Sequence, residues 1–163
     1  MLKLTDQQRT ALNLFTQKPR QAWQKNTHLA AEGADGVVWA SNGASLFAIP
    51  LELDDFAAYP TYYLKDGAWL PVDYAIPDFD TVLERARCPT GEAAQYDPEL
   101  LLLFKQAAKE LGDPTGFFKV HHNGPQRAGT VHFKDLKCWG LIMPYVDYIG
   151  NQPPPELTTL NGE

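Results

Sequence analysis

Apolar and polar positions along the chain change between helical and strand-like spacing, and the same succession occurs twice. Apolar residues recur at helical spacing after a capping box formed by Thr5 and Gln8, which predicts a helix from Asp6 to Gln17. Short β-rich pieces follow, separated by the turn-forming pairs Asp35-Gly36 and Asn42-Gly43. They predict a meander of three strands at Ala22–Ala31, Val37–Ser41 and Leu46–Leu51.

The second succession begins with another capped helix. Asp97 is suited to the N-cap and Pro98 to the first helical position, and an apolar stripe continues to Leu111. Gly112 and Pro114 end this helix. Three more strands are predicted, at Gly116–His121, Gly129–Phe133 and Cys138–Tyr145.

The remaining segments carry weaker patterns. Met1–Leu4 suits an opening strand, residues 61–64 and 68–70 flank Asp66-Gly67 as a hairpin, and Asp78–Ala86 suits a short helix. We therefore expect an α+β fold with two helices packed on antiparallel sheets and a pseudo-twofold internal repeat. Residues 1–148 would form one domain, and the Pro-rich residues 149–163 a tail with little fixed structure.

Composition and charge narrow the class of protein. No apolar stretch approaches the ~20 residues that a membrane span needs, and the first residues lack the apolar run of a signal peptide. We therefore expect a cytoplasmic protein with no membrane partner, in which Cys88 and Cys138 are free thiols. A net charge of −6 argues against a broad surface that binds duplex DNA non-specifically, but it is compatible with one small basic face.

Three local segments together carry a resemblance to a known family. They are Trp39–Leu46, with its polar-Gly turn, Ile76–Leu83, which contains Pro-Asp-Phe, and Leu141–Pro144, which ends in Met-Pro. Within the α+β frame predicted above, these segments resemble those of a domain of the bacterial sliding DNA clamp. Asn42 stands where the family has Asp, the middle segment lies between the two halves, and the chain holds one such domain instead of two or three.

The resemblance implies a hydrophobic pocket that captures short peptides from polymerases and clamp loaders. In the clamp, the polar-Gly turn and the Met-Pro strand come from neighbouring domains, so copies of this chain joined head to tail would form the pocket at their junction. One lip would consist of Ser41, Gly43, Ala44 and Leu46, and the other of Leu141, Met143 and Pro144. Alternatively, these residues are an ordinary hairpin tip and core strand.

The resemblance also implies a DNA-facing surface on the two helices. Clamp helices carry Lys and Arg on their exposed side, and the corresponding positions here are Arg9, Lys18, Lys105 and Lys109. Four exposed charges contribute little individually. The alternative is a solvated helix face.

Candidate chemistry beyond binding is sparse. His121, His122 and His132 fall on two successive strands, but adjacent strand residues point to opposite faces, so at most one of the first two could join His132 in a metal site with Cys138 or Asp135. No nucleophile elbow and no phosphate-binding loop is present. We expect no catalytic residues, no metal and no cofactor.

The sequence thus predicts a non-enzymatic, clamp-domain-like protein encoded by a phage or mobile element. It would act by self-association as a homo-oligomer, or by docking on replication proteins, host-defence proteins or DNA. The alternative is a decoy or inhibitor that keeps the fold as a scaffold and binds one host protein through its acidic surface, without DNA contact.

Overall fold

The computed structural model describes residues 4–16, 29–32, 37–50, 62–65, 68–71 and 79–145. Its helices are α1 (Asp6–Asn13), α2 (Phe79–Arg87) and α3 (Pro98–Glu110), and α1 continues as a 3-10 turn at Leu14–Thr16. Its strands are β1 (Leu29–Glu32), β2 (Val37–Ser41), β3 (Ser45–Pro50), β4 (Tyr62–Lys65), β5 (Ala68–Pro71), β6 (Phe118–His121), β7 (Gly129–Phe133) and β8 (Trp139–Ile142). Within these ranges, no helix combines the length and apolarity that a bilayer crossing demands.

All eight of these strands belong to one antiparallel sheet. Their order is β5-β4-β1-β2-β3-β8-β7-β6. A helix precedes each of two groups of three consecutive strands: α1 comes before β1–β3, and α3 before β6–β8. The strand order is mirrored about the boundary between β3 and β8, where Leu46 lies opposite Leu141. Within the described residues, the succession of one helix and three strands therefore occurs twice, with β4, β5 and α2 between the two occurrences.

Local side-chain hydrogen bonds begin the two repeated helices where the sequence predicts them. The Thr5 hydroxyl accepts from the backbone N–H of Gln8 at 3.1 Å, and the Gln8 side chain accepts from the N–H of Thr5 at 2.9 Å. The Asp97 carboxylate caps α3 by accepting from the N–H of Glu99 at 2.9 Å. The predicted capping residues of both helices are confirmed.

The main core lies between one face of the sheet and the pair α1 and α3, which pack against each other. Its centre is aromatic: the Phe15 ring stacks on Phe47 with centroids 5.0 Å apart, and Phe104 tilts against Phe15 at 4.9 Å. Further core residues come from both helices and from β2, β3, β7 and β8, namely Ala11, Leu12, Ala107, Ala108, Val38, Ala40, Ile49, Val131, Phe133 and Ile142.

The opposite face of the sheet carries a second, smaller core beneath α2. Leu46 and Ala48 of β3 and Leu141 of β8 are buried there with Ala86 of α2. Ser45–Ile49 of β3 are all buried, because α2 covers one face of the strand and α1 with α3 the other. Because β3 is buried on both faces, each face needs a covering layer, and α2 covers the face opposite α1 and α3.

A buried asparagine fastens α2 to the hairpin between β6 and β7. The Asn123 side-chain amide donates to the carbonyls of Arg85 at 3.1 Å and Ala128 at 3.2 Å, and its oxygen accepts from the Thr90 N–H at 3.1 Å. The Thr130 hydroxyl adds a bond to the Ala86 carbonyl at 3.0 Å. These bonds join the end of α2, the connection after it and the hairpin.

Replacing Asn123 by alanine should lower the free energy of unfolding by about 2 kcal/mol, because three backbone groups lose their partner in a buried site. Urea denaturation followed by tryptophan fluorescence measures the change. Gln126→Ala, at an exposed position of the same hairpin, is the control and should change stability by less than about 0.5 kcal/mol. Equal effects of the two substitutions would contradict the role of Asn123.

The structure differs from the sequence predictions at several boundaries. Strand β8 ends at Ile142 instead of Tyr145, since Pro144 has no N–H to continue the ladder. Strand β6 begins two residues after Gly116, whose φ of 63° is not that of a strand. Regular α1 ends at Asn13, before its 3-10 turn, and Leu4 is in no strand. Residues 1–3, 22–28 and the tail 149–163 lie outside the described residues.

The number of sheets also differs from the expectation, because the described strands form a single sheet where more than one was expected. The short helix predicted at Asp78–Ala86 is observed as α2, and it lies on the face opposite α1 and α3. The α+β class and the antiparallel pairing are confirmed.

Candidate functional site

The turn between β2 and β3 is held by its own polar side chains. The Asn42 side-chain oxygen accepts from the N–H groups of Ala44 at 3.0 Å and Ser45 at 2.8 Å. The Ser41 hydroxyl accepts from the Gly43 N–H at 3.1 Å and donates to the Ser45 carbonyl at 3.0 Å. Gly43 has a φ of 86°, which glycine adopts without strain. Asn42 thus supplies the acceptor that holds the turn.

Pairing of β3 with β8 brings the two predicted lips together within one chain. The Met143 N–H donates to the Ala44 carbonyl at 2.8 Å, directly beyond the last pair of the strand register. Met143 remains 40% exposed and Tyr145 54% exposed. The Tyr145 N–H donates to the Gln95 carbonyl at 2.6 Å, which fixes the segment that directly follows β8. We define the turn patch as Gly43, Ala44, Met143, Pro144 and Tyr145.

The other residues predicted for the lips are buried. Leu46 and Leu141 face each other beneath α2 and present no surface to a ligand in this conformation. The Ser41 side chain is buried and occupied in the turn. These three residues therefore belong to the interior beneath the turn patch and not to its exposed surface. Sequence reasoning missed Tyr145, although an aromatic residue directly after Met-Pro was the available signal.

The three predicted DNA-facing residues within the described ranges are solvent-exposed, but their charge is balanced by acids on the same helices. Arg9 lies on α1, and Lys105 and Lys109 lie on α3. The same two helices expose an equal number of acids, namely Asp6, Glu99 and Glu110. Lys18 lies outside the described residues. In the described part of α1 and α3, the formal charges therefore cancel.

The histidines separate as strand geometry predicts. The rings of His121 and His132 lie 5.9 Å apart, whereas His122 points elsewhere and its Nδ1 accepts from the Ala94 N–H at 3.3 Å. Within the described ranges, no three His, Cys, Asp or Glu side chains are placed to hold a metal ion. His121 and His132 form a pair without a third ligand from that set.

The two cysteines are free thiols, as predicted, with Cys88 exposed and Cys138 buried. Burial raises the pKa of the Cys138 thiol to about 11, so this sulfur is protonated at neutral pH. A protonated, buried thiol is a poor nucleophile and a poor metal ligand.

Comparison with known proteins adds no assignment to this geometry. The chain matches no protein-family model, no curated protein and no solved structure.

Proposed function

We propose that this protein is a non-catalytic binding module of clamp-domain type, and that its turn patch captures a short apolar segment of a partner protein. By the resemblance, the partner belongs to the replication machinery. The duplicated helix-and-strand order supports the comparison with a clamp domain.

The observation that carries the proposal is the junction of the β2–β3 turn with the end of β8. In the clamp, the corresponding pieces come from two neighbouring domains. In this chain, the hydrogen bond from the Met143 N–H to the Ala44 carbonyl places both pieces side by side. A single copy therefore presents a surface that otherwise needs two.

The chemistry of the turn patch suits capture of an apolar peptide. Met143 offers a flexible, polarizable side chain that adapts to different partners, and Tyr145 offers a large ring with a polar tip. Both are exposed on a backbone held by hydrogen bonds, so little ordering is required on binding. Exposed apolar side chains on a rigid support are typical of binding hot spots.

Met143→Asp should weaken peptide capture at least about tenfold, because binding would then bury a charged group in place of an apolar one. The measurement is fluorescence anisotropy with a labelled peptide from the clamp-binding segment of a bacterial replicative polymerase.

The matched control is Leu102→Asp, which introduces the same charge at an α3 leucine that is 50% exposed. We expect its affinity to stay within about twofold of the unmodified protein. Both variants should retain the unmodified melting temperature to within a few degrees, since both positions are exposed. Failure of the unmodified protein to bind, or an equal loss in both variants, would reject the turn patch.

A further inference from the structure

The hairpin of β6 and β7 presents a row of cationic and aromatic side chains on the face opposite the main core. Lys119 lies opposite His132 and His121 opposite Thr130, and the Lys134 N–H extends the pairing to the Phe117 carbonyl at 3.2 Å. Alternate residues of both strands, such as Phe133, point into the core, so the side chains between them lie on the opposite face. Thr130 on that face is covered by α2, where its hydroxyl donates to the Ala86 carbonyl. We define the basic ladder as the remaining residues Phe117, Lys119, His121, His132 and Lys134.

The basic ladder is accessible and forms a shallow groove. Phe117 is 62% exposed, and Lys119, His132 and Lys134 are also exposed. The groove has a volume of about 460 Å³ and is lined by ladder residues and by Phe118 and Phe133. Four of the five ladder side chains are lysine or histidine, and none is a carboxylate.

Charge is distributed unevenly between this hairpin and the rest of the chain. Residues 116–137 contain Lys119, Arg127, Lys134 and Lys137 but only one acid, Asp135, whereas the whole chain carries −6. The hydrogen bond from the Thr115 hydroxyl is the main cause that lowers the pKa of the Asp113 carboxyl, and the charge of Lys134 lowers this pKa further. Residues 116–137 are therefore a net basic segment of an acidic protein.

The chemistry of the ladder selects a class of ligand. Paired lysines neutralise phosphates, and imidazole N–H groups donate hydrogen bonds to phosphate oxygens. An exposed phenylalanine beside them offers a face for base stacking, which requires unpaired bases. A duplex hides its base faces, so the exposed ring favours a single strand over a duplex.

We propose that the basic ladder binds single-stranded nucleic acid. Lys119 and Lys134 contact phosphates, His121 and His132 donate hydrogen bonds to phosphate oxygens, and Phe117 stacks on a base. This inference shares no residue with the turn patch and does not depend on peptide capture. It also moves nucleic-acid contact from the helices α1 and α3, where charge cancels, to the strands.

The test is fluorescence anisotropy of a labelled oligothymidylate of about 12 nucleotides, titrated with the full chain at about 50 mM salt. Lys119→Gln combined with Lys134→Gln should weaken binding at least about tenfold and reduce the salt slope by about 1.4, since each contact on a single strand contributes about 0.7. Phe117→Leu, which keeps apolar bulk but removes the ring, should weaken binding at least about fivefold.

The control variant carries the same charge change on the helices that cover the main core. Arg9→Gln combined with Lys109→Gln, at exposed positions of α1 and α3, should leave the affinity within about twofold. The proposal would be overturned if the unmodified chain did not bind, or if it bound a duplex of the same length equally well. It would also be overturned if the two double variants lost affinity equally, or if Phe117→Leu had no effect. Met143→Asp should bind the oligonucleotide normally, so failure of the turn patch and failure of the ladder are distinguishable.

Discussion

Replacing Phe104 by alanine is expected to lower the free energy of unfolding by about 4 kcal/mol, one of the two largest effects that the structure predicts. The Phe104 ring is fully buried and contacts Phe15 at 4.9 Å, Phe118 at 6.0 Å and Phe133 at 6.4 Å between centroids. It links α3 to the α1 region and to two strands. Its removal leaves a cavity that these rigid layers cannot close.

Urea denaturation with an unchanged m-value measures this loss. Leu102→Ala is the control, because Leu102 lies on the same helix and is 50% exposed. It should change stability by less than about 0.5 kcal/mol. A loss below about 1 kcal/mol for Phe104→Ala would show that the ring does not hold the layers together.

Gly140→Ala is expected to cost about 3 kcal/mol, the second of these effects. Gly140 lies on β8 opposite Phe47, and a β-carbon there would collide with the Phe104 ring and lie 2.8 Å from the Leu46 carbonyl oxygen. Neither obstacle is the end of a flexible side chain. The central strands therefore meet α3 at a position that only glycine fits.

A double-mutant cycle with Phe104→Ala isolates the ring contribution. Once the ring is gone, Gly140→Ala should cost at least about 1 kcal/mol less than in the unmodified protein, because only the Leu46 carbonyl still opposes the methyl group. Strict additivity of the two substitutions would contradict a steric contact between Phe104 and position 140. Urea denaturation of the four proteins provides the measurement.

Local signals in the sequence predicted the parts of the fold that depend on neighbouring residues. The Thr5 and Asp97 caps and the Asn42-Gly43 turn each involve side chains within a few positions of the groups that they bond. Such interactions are encoded within a short window. Their residue types therefore identify the helix starts and the hairpin directly.

Long-range pairing could not be predicted in the same way. Leu46 and Leu141 lie nearly a hundred residues apart in the chain, and their alignment depends on the register of the whole sheet. The resemblance places the two lips at a junction between copies, whereas the structure joins them within one chain. The face of the sheet on which α2 packs likewise depends on the buried hydrogen bonds of Asn123. These bonds join Asn123 to Arg85 and Thr90, which lie far earlier in the chain.

The basic ladder illustrates the same limit for function. Lys119 and Lys134 are separated by a turn and a strand, and they become neighbours only through the register of β6 and β7. The excess of basic residues in 116–137 was a sequence signal, but it does not specify which side chains share a face. Strand alternation and the core contacts of Phe118 and Phe133 supply that information.

The late arrival of β8 has a consequence for synthesis on the ribosome. Strand β3 is complete at Pro50, and its partner begins at Trp139, about ninety residues later. At ~5–20 residues per second, the apolar Ser45–Ile49 segment waits roughly 5–20 s for that neighbour. During this interval the nascent chain exposes an unpaired strand edge, so shielding by chaperones should matter most before Trp139–Ile142 is translated.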